Sequence, residues 1–170
     1  IFGWLSALIY IFFVPEKSYP KFLILEMGVD HPGDMEYLMR LVRPSLEVLT
    51  AIGKIPVHVE FFSGPEEVAK EKGKLVQALL PEGHVIINAD DESLDDIRAG
   101  VRGDALSFGF GEDASLQISN LSFYTDYDLK LKKDIPKGSS FDISYKNTKA
   151  SVRLPNVFGK PAAYAATAAA

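Results

Sequence analysis

Residues 65–91 read PEEVAKEKGKLVQALLPEGHVIINADD, and this stretch decides the fold class. Apolar residues recur at helical spacings of +7, +8 and +11 from Val68, which predicts a long helix over about 65–80. The apolar run HVIIN at 84–88 predicts a strand, and the acidic residues ADD follow it. An amphipathic helix that leads into a buried strand is the repeating unit of a parallel α/β sheet.

The residues before this stretch continue the same alternation of strands and helices. KFLILEMG at 21–28 is a continuous apolar run, which is typical of a strand buried on both faces of a parallel sheet. PGDMEYLMRLVRP at 32–44 predicts a short helix with Asp34 as its N-cap. LEVLT at 46–50 predicts a second strand, and LDDIRAGV at 94–101 predicts a short helix. The β-α-β-α-β-α order predicts an α/β fold with a mostly parallel sheet flanked by helices.

The sequence pattern changes after about residue 104. Five segments alternate apolar and polar residues and are separated by turn residues: ALSFGF, SLQISNLSFYT, DLKLKK, SFDISYKN and ASVRLP. Such alternation is typical of short antiparallel strands with one exposed face. We therefore predict a small antiparallel β-subdomain at about 104–155. The closing segment GKPAAYAATAAA predicts a further helix.

Composition narrows the class of protein. The chain has 170 residues, a formal net charge of −5 and no cysteine. One domain with a sizeable core is expected at this length. The acidic balance and the lack of a long basic block disfavour a nucleic-acid surface. The lack of cysteine excludes disulfides, zinc thiolate sites and cysteine nucleophiles, and it fits a reducing cytoplasm.

The two ends of the chain suggest a piece of a longer protein. The chain begins at Ile1 rather than at a methionine, and it ends in YAATAAA without a helix stop signal, so we expect truncation at both ends. The apolar run at 1–14 is shorter than the roughly 20 residues that a transmembrane helix needs. A buried helix is favoured there over a membrane element, and no membrane span is expected.

Lys72 is the most unusual residue of the long helix, because it shares the apolar face with Val68 and Leu75. Burial of a charged lysine is unfavourable, so the side chain must reach solvent, pair with an acid, lose its proton or be modified. A structural lysine and a reactive amine at a ligand site both remain open. Gly73 beside it is also unusual, since glycine within a helix costs about 1 kcal/mol relative to alanine.

Three loops are expected to meet at one edge of the predicted sheet. Glu26 ends the first apolar run, His58 follows the second strand, and residues 88–91 (Asn-Ala-Asp-Asp) follow the third. Ligands of open parallel sheets bind beyond the carboxyl ends of the strands. A carboxylate and an imidazole with water suit a magnesium or manganese ion that also holds phosphate oxygens. The alternative is that Glu26 caps a helix and His58 is an ordinary loop histidine.

Four blocks of the sequence, taken in order, resemble the central ATP-binding domain of the Mur ligases. The blocks are YPKFLILEMGVDHPGD, RPSLEVLTAIGKIPVHVEFF, GPEEVAKEKGKLV and VIINADD, and the likeness extends over about residues 19–170. The most similar branch adds D-alanyl-D-alanine to a UDP-N-acetylmuramoyl tripeptide. The resemblance implies an ATP-dependent amide ligase of peptidoglycan precursor synthesis. It also implies an acyl-phosphate intermediate, and we expect a cytoplasmic monomer.

The resemblance also implies roles for individual residues. Lys72 matches a lysine that carbon dioxide converts to a carbamate, an anion that helps to hold Mg²⁺ near the phosphates of ATP. Glu26 and His58 match the magnesium-binding glutamate and histidine, although the loop before His58 is longer than usual. Lys72 and His58 are the expected catalytic residues. Asn88 and Asp90 are expected at the nucleotide-binding edge.

The chain departs from the family pattern in three respects. No G-x-x-x-x-G-K-[ST] phosphate loop occurs in the 170 residues, so we expect that loop upstream and no ATP hydrolysis by this piece alone. Ala162 and Ala165 stand where the family has asparagines in G-x-H-N-x-x-N-A. The resemblance implies one domain that binds the UDP substrate and another that brings the incoming amine, and we expect neither within the 170 residues. Two alternatives therefore stay open: a related ligase with another acceptor, muramyl or folylpolyglutamate synthase-like, and a non-catalytic homologue.

Overall fold

The computed structural model describes residues 20–52, 61–101 and 105–170. Its helices are α1 (Asp34–Leu41), α2 (Pro65–Ala78), α3 (Asp95–Gly100) and α4 (Lys160–Ala168), and a 3₁₀ turn at Glu92–Leu94 precedes α3. Its strands are β1 (Leu46–Leu49), β2 (His84–Asn88), β3 (Ala105–Gly109), β4 (Leu116–Asp128), β5 (Lys133–Tyr145) and β6 (Thr148–Pro155). The predicted helix over 65–80 and the predicted strand at 84–88 are therefore present.

The strands form one six-stranded sheet whose order follows the chain, from β1 to β6. Neighbours from β1 to β4 are parallel, whereas β4, β5 and β6 are antiparallel to one another. The predicted α/β class, parallel at first and antiparallel toward the end, is confirmed. The antiparallel strands extend the parallel sheet, because β4 pairs with β3 on one side and with β5 on the other.

The apolar core has one cluster for each part of the sheet. In the first cluster, Met35 of α1 and Val68 of α2 pack with Val85 and Ile87 of β2. Pro65 at the first helical position and acidic residues in the first turn favour the start of α2. The second cluster contains buried residues of β4, β5 and α4, namely Ile118, Phe141, Ile143 and Ala163. Helices α1 and α2 therefore pack on the parallel strands, and α4 packs on β4 and β5.

The predicted strand at 21–28 is absent. Residues 22–28 have no regular secondary structure, and the side chains of Phe22 and Ile24 are 85% and 94% exposed. The prediction rested on an apolar run, which is a local signal, whereas a strand forms only against a neighbouring backbone. Among the described residues the sheet begins at β1, and no strand pairs with this segment.

Three local predictions also need correction. The segment ALSFGF forms β3, which is parallel to both neighbours, because alternation reports an exposed face and carries no information on strand direction. DLKLKK lies mostly in the turn between β4 and β5. Asp34 is the first residue of α1 and Gly33 is its N-cap. The Asp34 carboxylate instead accepts hydrogen bonds from the N–H groups of Asp30 and His31, at 3.0 and 2.7 Å.

In the part of the chain that the structure describes, no helix combines the length and the apolar character that a membrane crossing requires. The apolar run at 1–14 lies outside the described residues.

Candidate functional site

A polar cleft lies where β1 and β2 end, at the edge that the sequence predicted. The parallel register sets Leu49 of β1 beside Ile87 of β2, so both strands reach this edge together. The cleft encloses about 350 Å³ and is lined by Ala51, Asn88, Asp90, Asp91, Glu92, Ser93 and Tyr164. Open parallel sheets bind their ligands at such an edge.

Asn88 joins the two strand ends beneath the cleft. Its side chain is almost fully buried, at 3% exposure. The amide nitrogen donates to the carbonyl oxygen of Thr50 at 2.7 Å, and the amide oxygen accepts from the N–H of Asp90 at 2.9 Å. Because both ends of the amide are engaged, Asn88 fixes the path of the loop that follows β2.

Asp91 organises the next turn of the same loop. Its Oδ2 accepts a hydrogen bond from the N–H of Ile52 at 2.6 Å, and its Oδ1 accepts from the N–H of Ser93 at 3.0 Å. The second bond caps the 3₁₀ turn in the way that aspartate commonly caps helices. The Asp91 carboxylate thus ties the loop after β2 to the segment that leaves β1.

Lys72 extends from α2 toward the segment after β1. Its Nζ lies 3.5 Å from the carbonyl oxygen of Ala51, a residue that lines the cleft. Burial lowers the pKa of the Lys72 ammonium group, and the nearby Asp91 carboxylate offsets part of this change. Desolvation disfavours the charged form of an amine, so the neutral form is more populated here than in an exposed lysine. The lysine on the apolar face therefore reaches the border of the cleft.

Asp90 also lines the cleft, and two segments that are distant in the sequence donate hydrogen bonds to it. Its carboxylate accepts from the N–H groups of Phe110 and Gly111, at 2.6 and 3.0 Å. It also accepts from the hydroxyl of Tyr164 in α4, at 2.8 Å. Burial raises the pKa of Asp90, but these hydrogen bonds and the charge of Lys160 outweigh it, so the pKa lies below its usual range.

Sequence reasoning missed Tyr164 as a site residue. The available signal was its place as the one aromatic residue in GKPAAYAATAAA, on the helix whose family motif is altered at Ala162 and Ala165. Its partner Asp90 lies 74 residues earlier, so no local spacing connects the two side chains.

The structure does not bring Glu26 into this group. Glu26 is exposed in the segment before α1, and within the described residues no hydrogen bond or ion pair joins it to Lys72, Asn88 or Asp90. His58 lies outside the described residues. Over 20–52, 61–101 and 105–170, no group of three acidic or histidine side chains is arranged to hold a metal ion.

The fold and the cleft define a class of protein: an α/β domain with a polar cleft at the carboxyl ends of its parallel strands. Within that class, the model of the Mur ligase middle domain matches residues 7–170, and the chain belongs to this family.

A curated relative is similar in sequence, and solved structures share the fold. The chain is 30% identical over 95 residues to the UDP-N-acetylmuramoyl-tripeptide–D-alanyl-D-alanine ligase of Haemophilus influenzae, covering 56% of this chain and 20% of that protein. MurF from Acinetobacter baumannii superimposes with a TM-score of 0.68 at 24% identity, over 84% of this chain and 28% of that one. MurF ligase from Thermotoga maritima, solved in complex with ADP, gives 0.70 at 19% identity, over 89% and 32%. The chain thus spans about a fifth to a third of these proteins.

Proposed function

We propose that this chain is part of the central domain of an ATP-dependent carbon–nitrogen ligase of peptidoglycan precursor synthesis. Its substrates would be a UDP-N-acetylmuramoyl tripeptide and D-alanyl-D-alanine, and it would act in the cytoplasm as a monomer. The family match over residues 7–170 carries the proposal. Similarity to the D-alanyl-D-alanine ligase of Haemophilus influenzae supports the choice of acceptor.

The proposed reaction has two chemical steps. The terminal carboxylate of the tripeptide attacks the γ-phosphorus of ATP, which gives an acyl phosphate and ADP. The amine of D-alanyl-D-alanine then attacks the acyl carbon, loses a proton and expels inorganic phosphate, which leaves an amide. Little covalent chemistry falls to the protein, whose contribution is to position the reactants and neutralise charge.

Lys72 is the residue that we propose for charge control at the cleft. Its lowered pKa favours the neutral amine, and only a neutral amine can react with carbon dioxide to form a carbamate. The nitrogen would bond to the carbon of carbon dioxide and release a proton to solvent, and the resulting anion would lie near Ala51, at the border of the cleft. We propose Glu26, His58 and the modified Lys72 as ligands for Mg²⁺, which would supply positive charge for the phosphates. Asn88 and Asp90 would shape the nucleotide side of the cleft.

The test is ligation by the full-length protein. We expect ADP, phosphate and the amide product in equal amounts when ATP, the UDP-linked tripeptide and D-alanyl-D-alanine are all present. Omission of either peptide substrate should abolish phosphate release. A panel of other acceptors, including single amino acids and a folate with glutamate, distinguishes the related ligases. Binding of the UDP-linked peptide without turnover on any acceptor would instead support a non-catalytic homologue.

A second test is to determine the gene sequence upstream of Ile1. A G-x-x-x-x-G-K-[ST] loop within the preceding few dozen residues would supply the phosphate contacts that the 170 residues lack. A start codon close to Ile1 without that loop would favour the non-catalytic homologue, which Ala162 and Ala165 also favour.

A further inference from the structure

Three hydrogen-bond donors converge on the carboxylate of Asp90. The N–H of Phe110 and the hydroxyl of Tyr164 both donate to Oδ2, and the N–H of Gly111 donates to Oδ1. These donors come from the loop after β3 and from α4, two segments that are far from Asp90 in the sequence. The carboxylate therefore links three separate parts of the fold at the cleft wall.

The loop after β3 has the form of a small anion-binding concavity. Successive backbone N–H groups that point at one anion bind it well without any cationic side chain. In this loop the anion is the side chain of Asp90. The approach is close, since a Cβ atom on Gly109 would lie 2.7 Å from Oδ1 of Asp90. Glycine at 109 is thus needed for the loop to fit around the carboxylate.

Contacts between rings hold α4 against the same loop. The ring of Tyr164 meets the ring of Phe110 edge to face, with centroids 5.4 Å apart. The ammonium group of Lys160 lies over the Phe110 ring, 5.0 Å from its centroid. Burial and the hydrogen bond to Asp90 raise the pKa of the Tyr164 hydroxyl, so it remains a donor at neutral pH. The loop and α4 form one packed unit around the carboxylate.

We propose that Asp90 is a positioning residue whose carboxylate acts as a built-in anion: it holds Tyr164, which lines the cleft, together with the supporting loop at residues 109–111. Within the described part of the chain, the carboxylate accepts hydrogen bonds from the loop after β3 and from α4, so its effect on a ligand passes through these two segments. The activity part of this inference rests on the proposed ligase function, whereas the structural part does not.

The decisive experiment removes the Asp90 carboxylate by substitution and then supplies a free carboxylate in solution. In the full-length protein, Asp90→Ala should speed hydrogen exchange at the amides of Phe110 and Gly111. It should also raise the KM for ATP about tenfold, because Tyr164 and the loop lose the charged group that holds them in place, with a smaller change in kcat. Added formate supplies a free carboxylate, and it should restore both exchange protection and KM.

Two matched variants control for general effects. Asp142→Ala removes a carboxylate on β5 that is held by Asn120 of β4 and by Lys149 and Ser151 of β6. Formate should not alter the KM of this variant for ATP. Tyr164→Phe keeps the ring and removes one donor, so it should give a smaller change of the same kind. Tyr127→Phe, at an exposed tyrosine of β4, should give none.

Several outcomes would overturn the inference. One is unchanged exchange at residues 110 and 111 in Asp90→Ala, and another is a failure of formate to restore it. A fall in kcat with an unchanged KM would place Asp90 at the reacting atoms instead. If the wild-type protein shows no ligation, the proposed function fails, and the exchange data in Asp90→Ala and Tyr164→Phe still decide the positioning role.

Discussion

The carboxylate of Glu71 accepts a hydrogen bond from the backbone N–H of Gly33 at 2.9 Å, between residues 38 positions apart. The same oxygen accepts from the N–H of Met35 at 3.2 Å, and the other oxygen lies 2.6 Å from Nζ of Lys74. Gly33 is the N-cap of α1 but has no side chain that could accept hydrogen bonds from the first turn. Glu71 of α2 accepts them instead. Since α2 also carries Lys72, this contact sets the placement of the candidate reactive lysine.

Glu71→Ala should therefore destabilise the protein by about 1–3 kcal/mol, because it removes the acceptor of the buried Met35 N–H and that of the more exposed Gly33 N–H. Denaturant unfolding of the full-length protein measures the change. Glu36→Ala is the matched control, since Glu36 makes an exposed ion pair with Arg40 and should matter little. Equal effects of the two substitutions would contradict the capping role.

Lys72→Ala should abolish most turnover in the full-length enzyme, with a fall of at least about a hundredfold, the scale of losing one preorganised charge at a reacting centre. Lys70→Ala, two residues earlier on an exposed position of α2, should stay near wild type. Carbon NMR with labelled bicarbonate should show a carbamate signal that Lys72→Ala lacks and Lys70→Ala keeps. Unchanged turnover in Lys72→Ala would remove the carbamate from the mechanism.

Glu47 should make the stability fall as pH rises. Its side chain in β1 is 3% exposed and has no hydrogen-bond partner among the residues that the structure describes, and burial raises its pKa to about 8. Below its unfolded pKa of about 4.5, both states are protonated and the group contributes nothing. Between about pH 4.5 and 8 the unfolded chain ionises while the folded chain keeps its proton, so the free energy of unfolding decreases.

Glu47→Met removes this titration and should stabilise the protein by on the order of 3 kcal/mol at pH 7, and by less at pH 5. Denaturant midpoints measured between pH 5 and pH 8 test the slope. Glu82→Met, at an exposed position before β2, should show no such pH dependence. A gain for Glu47→Met that stays constant across this range would mean that packing, and not ionisation, is responsible.

Gly73 in α2 has a packing role. A Cβ atom there would lie 3.1 Å from Cγ1 of Ile97 in α3, closer than ordinary contact. Gly73→Ala gains about 1 kcal/mol of helix propensity but presses on Ile97. We expect little net change in the wild-type background and a clear stabilisation in an Ile97→Ala background. A double-mutant cycle by thermal unfolding measures this coupling, and additive effects would show that the two residues do not compete for space.

Most helices and strands were predictable from local pattern. The apolar spacing around Val68 and the position of Pro65 locate α2, and the run at 84–88 locates β2. The run at 21–28 has an equally strong pattern, yet the structure leaves it exposed and outside the sheet. Hydrophobic periodicity records which residues prefer burial, but pairing depends on which backbones lie beside them.

The candidate site also combines features that follow from local sequence pattern with features that depend on contacts in space. Sequence spacing alone placed Lys72 on the inner face of α2 and residues 88–91 at the carboxyl edge of the sheet, because helix and strand periods are local geometry. Only the tertiary structure showed that the Tyr164 hydroxyl donates a hydrogen bond to Asp90 and that the Glu71 carboxylate caps α1. Glu26 takes part in neither of these contacts. These relationships join residues between 38 and 74 positions apart. The free energy of these hydrogen bonds depends on the distance between the partners and on their burial. The spacing of residues along the sequence encodes neither.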